Sequence, residues 1–168
     1  MWLSSPSSRD LRSLISLRER KINLEDLIPL IEEKLKEGNE VLFSPSGTSM
    51  LPSLKAGRDT VVLTTPKSRL KKYDIALYRR ENGQYVLHRV IGVGDSYTFI
   101  GDAQLECERN IKEEQIIALC TAYLRGGVRV ELSSFRCRAF ARLWHYTLPF
   151  RRAFRFAKLK IKKLLKKG

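Results

Sequence analysis

Leu24, Leu27, Ile28, Ile31 and Leu35 recur at three- and four-residue intervals, the spacing of a helix with one apolar face. Asn23 in front suits an N-cap and Gly38 suits a stop, so the pattern predicts a helix over 24–37. From residue 40 to about 132 the period shortens. Runs rich in Val, Ile, Leu and Tyr (EVLF, TVVLTT, DIALYR, QYVLHRVIGV, SYTFI, QIIALCTAYL, VRVEL) alternate with turn signals. Asn82-Gly83 between two such runs predicts a β-hairpin; Gly94-Asp95, Gly101-Asp102 and Gly126-Gly127 punctuate the rest. Many short strands at close spacing predict a mainly β, antiparallel domain.

After residue 133 the helical period returns. Phe135–Tyr146 suits one helix and Pro149 the start of another. In that last helix Phe150, Ala153, Phe154, Ala157, Ile161, Leu164 and Leu165 share one stripe, with Arg and Lys around the rest. The first 20 residues mix Ser, Arg and a few Leu, with a short helix expected at 9–18. The organisation expected is an N-terminal extension (1–22), a β domain with its leading helix (23–133) and a basic amphipathic helical tail (134–168).

Charge sharpens this division. Six Arg and six Lys lie between Arg136 and Lys167 with no acidic residue, so the tail carries +12 of the net +14. No run of about 18 apolar residues would span a bilayer, and Arg9, Asp10 and Arg12 interrupt any secretory leader. Cys107, Cys120 and Cys137 form no CxxC and no metal pattern with the two histidines, which favours a reducing compartment. The expectation is a cytoplasmic chain, with peripheral attachment to the inner membrane face through its tail. Three readings of the tail stay open: binding to an anionic membrane surface, packing of the stripe on the β domain, and nonspecific binding to nucleic acid.

Candidate chemistry starts from SPSGTSMLPSL, residues 44–54. A serine there becomes a nucleophile only with a base to take its proton. His145 sits in the basic tail, where a surface or packing role is expected. His88 sits within a strand, sharing a face with Val86 and Val90, an apolar setting that suits the neutral ring a base needs. Gly47 permits a tight turn, Pro52 fixes its exit, and Met50 is expected beneath Ser49. Asp74 reads as a turn cap. Arg89, on the strand face opposite His88, reads as half of a structural ion pair.

The order G-x-S-M-x-P, then Y-D-I-x-x-Y-R, then His88-Arg89-Val90-Ile91-Gly92, then Gly101-Asp102, closely resembles the signal peptidase I-like serine peptidases, which share a β fold with the self-cleaving SOS repressors. The resemblance covers roughly residues 40–125. Bacterial signal peptidases carry a Lys base before R-V-I-G and the endoplasmic-reticulum type carries His, so the resemblance implies a Ser49/His88 dyad. It also implies an active-site role for Asp102, which could orient the imidazole or stabilise its charged form, and it matches a second acidic position to Glu108. Ala141-Arg142-Leu143-Trp144 is similar to a run in small bacterial members that end in an Arg-rich segment. The backbone N–H of Ser49 is the expected oxyanion donor. The bacterial enzymes add a hydroxyl two residues before the nucleophile; Gly47 stands there, leaving Ser46 or Thr48 as the second donor.

The function implied is serine endopeptidase action on a peptide or precursor protein, without cofactor or metal. Two alternatives stand beside it: a non-catalytic membrane- or nucleic-acid-binding module on a peptidase scaffold, and a self-cleaving regulator.

Overall fold

The computed structural model describes residues 24–165, with side chains from 27 to 158. The short helix expected at 9–18 and the Asn23 cap lie outside the described residues. Helix α1, Leu24–Lys36, fills the predicted span. It ends where Gly38 adopts φ +81°, which lets the Asn39 N–H close on Lys34 O at 3.1 Å and the Gly38 N–H on Leu35 O at 3.0 Å.

Eight strands follow: β1 Val41–Phe43, β2 Asp59–Thr64, β3 Ile75–Arg79, β4 Tyr85–Val93, β5 Tyr97–Ile100, β6 Glu108–Ile111, β7 Ile116–Arg125 and β8 Val128–Glu131. All pairings are antiparallel, in the order β1-β2-β7-β3-β4-β5-β6, with β8 also on β7. Every predicted strand is present, and β6 is added. The long β7 organises the sheet, pairing β2 along one edge and β3 then β8 along the other.

Two apolar cores form because alternate strand residues face opposite ways. One gathers Ile28, Ile31 and Leu35 of α1 with Met50, Leu54, Val61, Leu63, Ile75, Leu77 and Leu87. The other gathers Leu70, Ala76, Tyr78, Val90, Tyr97, Phe99 and Ile111. Burying each of the larger side chains contributes about 1.5–3 kcal/mol. In β4 the alternation sends Leu87 to the first core and Val86 and Val90 to the second. His88 and Arg89 thereby point to opposite faces.

The C-terminal segment forms α2, Phe135–Tyr146, capped by Ser134 Oγ on the Cys137 N–H (3.4 Å), and α3, Leu148–Leu165, with Pro149 in its first turn. No helix among the described residues is long and apolar enough to cross a membrane.

Candidate active site

Ser49 lies in the loop between β1 and β2. Gly47 adopts φ +81°, a value L side chains rarely take, and so permits the turn before it. Met50 and Leu54 on the far side are 5 % and 2 % exposed, and their burial pins the loop to the first core. The Leu54 N–H closes on Met50 O at 2.9 Å. Met50 is therefore a buried anchor next to Ser49.

The Ser49 backbone is seated on the end of β5. Its carbonyl accepts the Ala103 N–H at 2.8 Å. A Cβ placed on Gly101 would lie 2.8 Å from that same carbonyl, so glycine there allows the close approach. Arg89 pairs with Ile100, so Gly101, one residue on, lies across from His88. Ser49 and His88, 39 positions apart in the chain, thus both adjoin the Gly101 backbone, but no hydrogen bond joins their side chains among the described residues. The Ser49 N–H makes no backbone hydrogen bond among the described residues.

His88 is 1 % exposed. Its Nδ1 lies 3.1 Å from Glu108 Oε1 and 3.3 Å from the Tyr78 hydroxyl. A carboxylate accepts, so Nδ1 carries the proton and the lone pair of the neutral ring falls on Nε2. Arg80 grips the same Glu108 with two bonds, 2.7 Å from Nε to Oε2 and 2.5 Å from Nη2 to Oε1. Burial pushes the Glu108 carboxyl up, but hydrogen bonds from His88, Arg80 and Tyr78 outweigh it and hold the group well below the usual carboxylate range. Burial, with the negative Glu108 nearby, drives the Tyr78 phenol strongly upward, so it stays protonated as a donor.

Asp102 corrects one expectation: its carboxylate does not orient His88. Arg89 holds it with bonds of 2.8 Å and 2.7 Å, and Ser53 Oγ donates to it as well. The reason is the pleat: Asp102 stands two residues beyond Ile100, the strand partner of Arg89, and so meets the face that Arg89 occupies. Arg89 is the structural ion-pair partner expected, with a further bond of 3.0 Å to Tyr73 O. Asp102 acts on the site through its backbone neighbours Gly101 and Ala103, which hold Ser49. The acid at the imidazole is Glu108. Of its supporters, Tyr78 falls within the Y-D-I-x-x-Y-R segment but takes no role from it, and Arg80, two residues on, lies just outside it.

Of the two candidate oxyanion hydroxyls, Ser46 lines a cavity of about 100 Å³ beside Ser49; Thr48 does not. Phe43, Leu77 and Tyr85 line the same cavity. Beside it, β5 covers β4 only from Arg89 to Val93, so the second edge of Tyr85–Leu87 has no strand partner among the described residues. Asp74 accepts the Lys71 N–H at 2.8 Å, the turn cap expected. His145 is half-buried edge-on to Tyr73, with ring centres 5.8 Å apart. Burial, then Lys72 and Arg151, push its pKa down.

The tail closes the site from one side. Trp144 Nε1 and Arg151 Nη1 both donate to Asp102 O, at 2.7 Å and 2.8 Å, and Arg152 Nε donates to Leu105 O at 2.8 Å. Among the described residues no group of three or more His, Cys, Asp or Glu could hold a metal ion. A comparison with protein-family models finds none that matches this chain, and a search of curated proteins likewise finds no match.

Proposed function

We propose that the chain is a serine endopeptidase in which Ser49 is the nucleophile and His88 the base, built on the β architecture that signal peptidases share with SOS repressors. The observation that carries this reading is the held imidazole: a nearly buried His88 fixed at Nδ1 by Glu108, opposite the glycine on which Ser49 rests. A histidine tied this way presents Nε2 as its base atom, and the tie resists rotation of the ring.

In the proposed reaction Ser49 Oγ attacks the peptide carbonyl while His88 Nε2 takes its proton. The Ser49 N–H receives the developing oxyanion, with the Ser46 hydroxyl as the second donor. His88 then returns the proton to the departing amine, leaving an acyl-Ser49 ester. Water hydrolyses the ester with His88 again as base. The free edge of Tyr85–Leu87 accommodates the substrate as an added extended strand. The 100 Å³ cavity beside Ser49 suits a small aliphatic side chain next to the scissile bond.

Labelling with a fluorophosphonate, read by intact mass and peptide mapping, tests the reading. The expected result is one adduct on Ser49 of the wild-type chain and none on Ser49→Ala or His88→Ala. Equal labelling of all three proteins would overturn it.

A further inference from the structure

An amphipathic helix attached to a globular domain normally turns its apolar stripe to the core. Helix α3 does the reverse. Its inward contacts are made by Arg151 and Arg152, which bond Asp102 O, Trp144 O and Leu105 O. Phe150 and Phe154, in the predicted stripe, are 77 % and 74 % exposed, and Ala153 and Ala157 beside them are exposed too. This stretch of the stripe is therefore not buried against the β domain. Arg155 and Lys158 flank the stripe, both exposed and neither paired with a described carboxylate. The apolar face continues into a hollow of about 680 Å³ shared with Leu51, Pro52 and Leu105, and Leu51 and Pro52 stand two and three residues after Ser49 in the chain.

We propose that this face of α3 docks on an anionic phospholipid bilayer, with Phe150 and Phe154 entering the headgroup–acyl boundary and the flanking cations meeting lipid phosphates. An outward aromatic stripe bordered by cations, in a tail without acidic residues, is complementary to such a surface in both polarity and charge. A polyanion without an apolar layer, such as duplex nucleic acid, would leave the phenylalanines in water. Docking would bring the Leu51–Pro52 side of the nucleophile loop to the bilayer, so peptides delivered along the membrane would reach the site first. The binding claim does not rest on the peptidase reading.

The test is co-sedimentation of the full chain with vesicles of phosphatidylcholine alone or mixed with phosphatidylglycerol. The wild-type chain is expected to partition about tenfold or more in favour of the anionic vesicles. Phe150→Ser/Phe154→Ser is expected to lower that partition about tenfold with an unchanged melting temperature, because both side chains are already in water. Phe135→Ser, an equally exposed residue outside α3, is expected to leave it unchanged. Absence of wild-type binding to anionic vesicles would overturn the proposal. So would full retention of binding by the double variant, which would assign the attraction to charge alone. Ser49→Ala is expected to bind like wild type, so the vesicle result stands or falls apart from the labelling result.

Discussion

His88 and Arg89 are chain neighbours, yet the pleat of β4 gives each a different face and a different carboxylate. Glu108 meets His88 from a partly exposed position, its side chain 23 % accessible, and is shared with Arg80 and Tyr78. Asp102 meets Arg89 in full burial, the two side chains 1 % and 6 % accessible. The first pair leaves one ring nitrogen free and holds a group that can gain and lose a proton. The second joins the Arg89 guanidinium to the Asp102 carboxylate at 2.7 Å and fixes where the Gly101–Ala103 segment lies. Two acid–base contacts one residue apart thus divide chemistry from placement. The resemblance-based expectation had given Asp102 the first task.

This division can be broken from either side. The largest effect is expected on the chemical side: His88→Ala and Ser49→Ala should each lower the proposed peptidase turnover about 10³-fold or more with melting temperature nearly unchanged. Turnover and calorimetry on the same samples would check it. Next comes the placement side. Asp102→Asn leaves the Arg89 guanidinium buried without its anion, and breaking such a pair costs about 3–5 kcal/mol. That should lower the melting temperature by about 10 °C, with activity lost in step with folding.

Glu108→Gln should fall between the two. It keeps the shape but loses the charge that steadies the imidazole, so turnover should drop about 10²-fold while the fold survives. This variant also carries a pH signature. The folded Glu108 carboxyl titrates below its unfolded value of about 4.3. Its contribution to stability is therefore present above that pH and is lost as pH falls further, toward the lowered folded value. Wild type should lose stability on acidification below about pH 5, and Glu108→Gln should lose less. Some acid dependence remains in the variant because Asp59 behaves alike. Burial pushes its carboxyl up, while hydrogen bonds from Arg125, Arg58 and the Lys55 N–H pull it well below the usual range. Chemical unfolding followed from pH 7 to pH 3 would separate the two slopes.

The smallest effect probes the seat between the two sides. Gly101→Ala places a methyl 2.8 Å from Ser49 O and 2.9 Å from Gln104 Oε1. Relieving that overlap should cost about 1–3 kcal/mol and displace the nucleophile, lowering turnover about tenfold. Unaltered kinetics would mean that Ser49 does not depend on this contact.

Local periodicity made much of this legible. Helix α1 and seven strands follow from the spacing of Leu, Ile and Val, and the opposed faces of His88 and Arg89 follow from alternation alone. Strand β6 did not declare itself because ERNI is short, charged and mostly exposed, with Asn110 at φ +60°. The pairing of acids with bases was hidden for another reason. Asp102 to Cys107 is an aperiodic loop, so nothing local says that it delivers Asp102 to one face and Glu108 to the other. The stripe of α3 was visible, but its direction was not. A periodic pattern tells which residues share a face and is silent on whether that face turns inward.

The contacts around Asp102 and Ala103 meet on one peptide unit. Its carbonyl receives Trp144 and Arg151 from the tail, and its N–H donates to Ser49. A peptide group is a planar, nearly rigid plate, so its two ends cannot rotate independently. Donors on the carbonyl also polarise the plate and strengthen the bond that its N–H makes on the far side. The tail is thereby geared to Ser49 through a single amide. A tilt of α3 cannot be absorbed between these two bonds, and what displaces one end of the plate displaces the other.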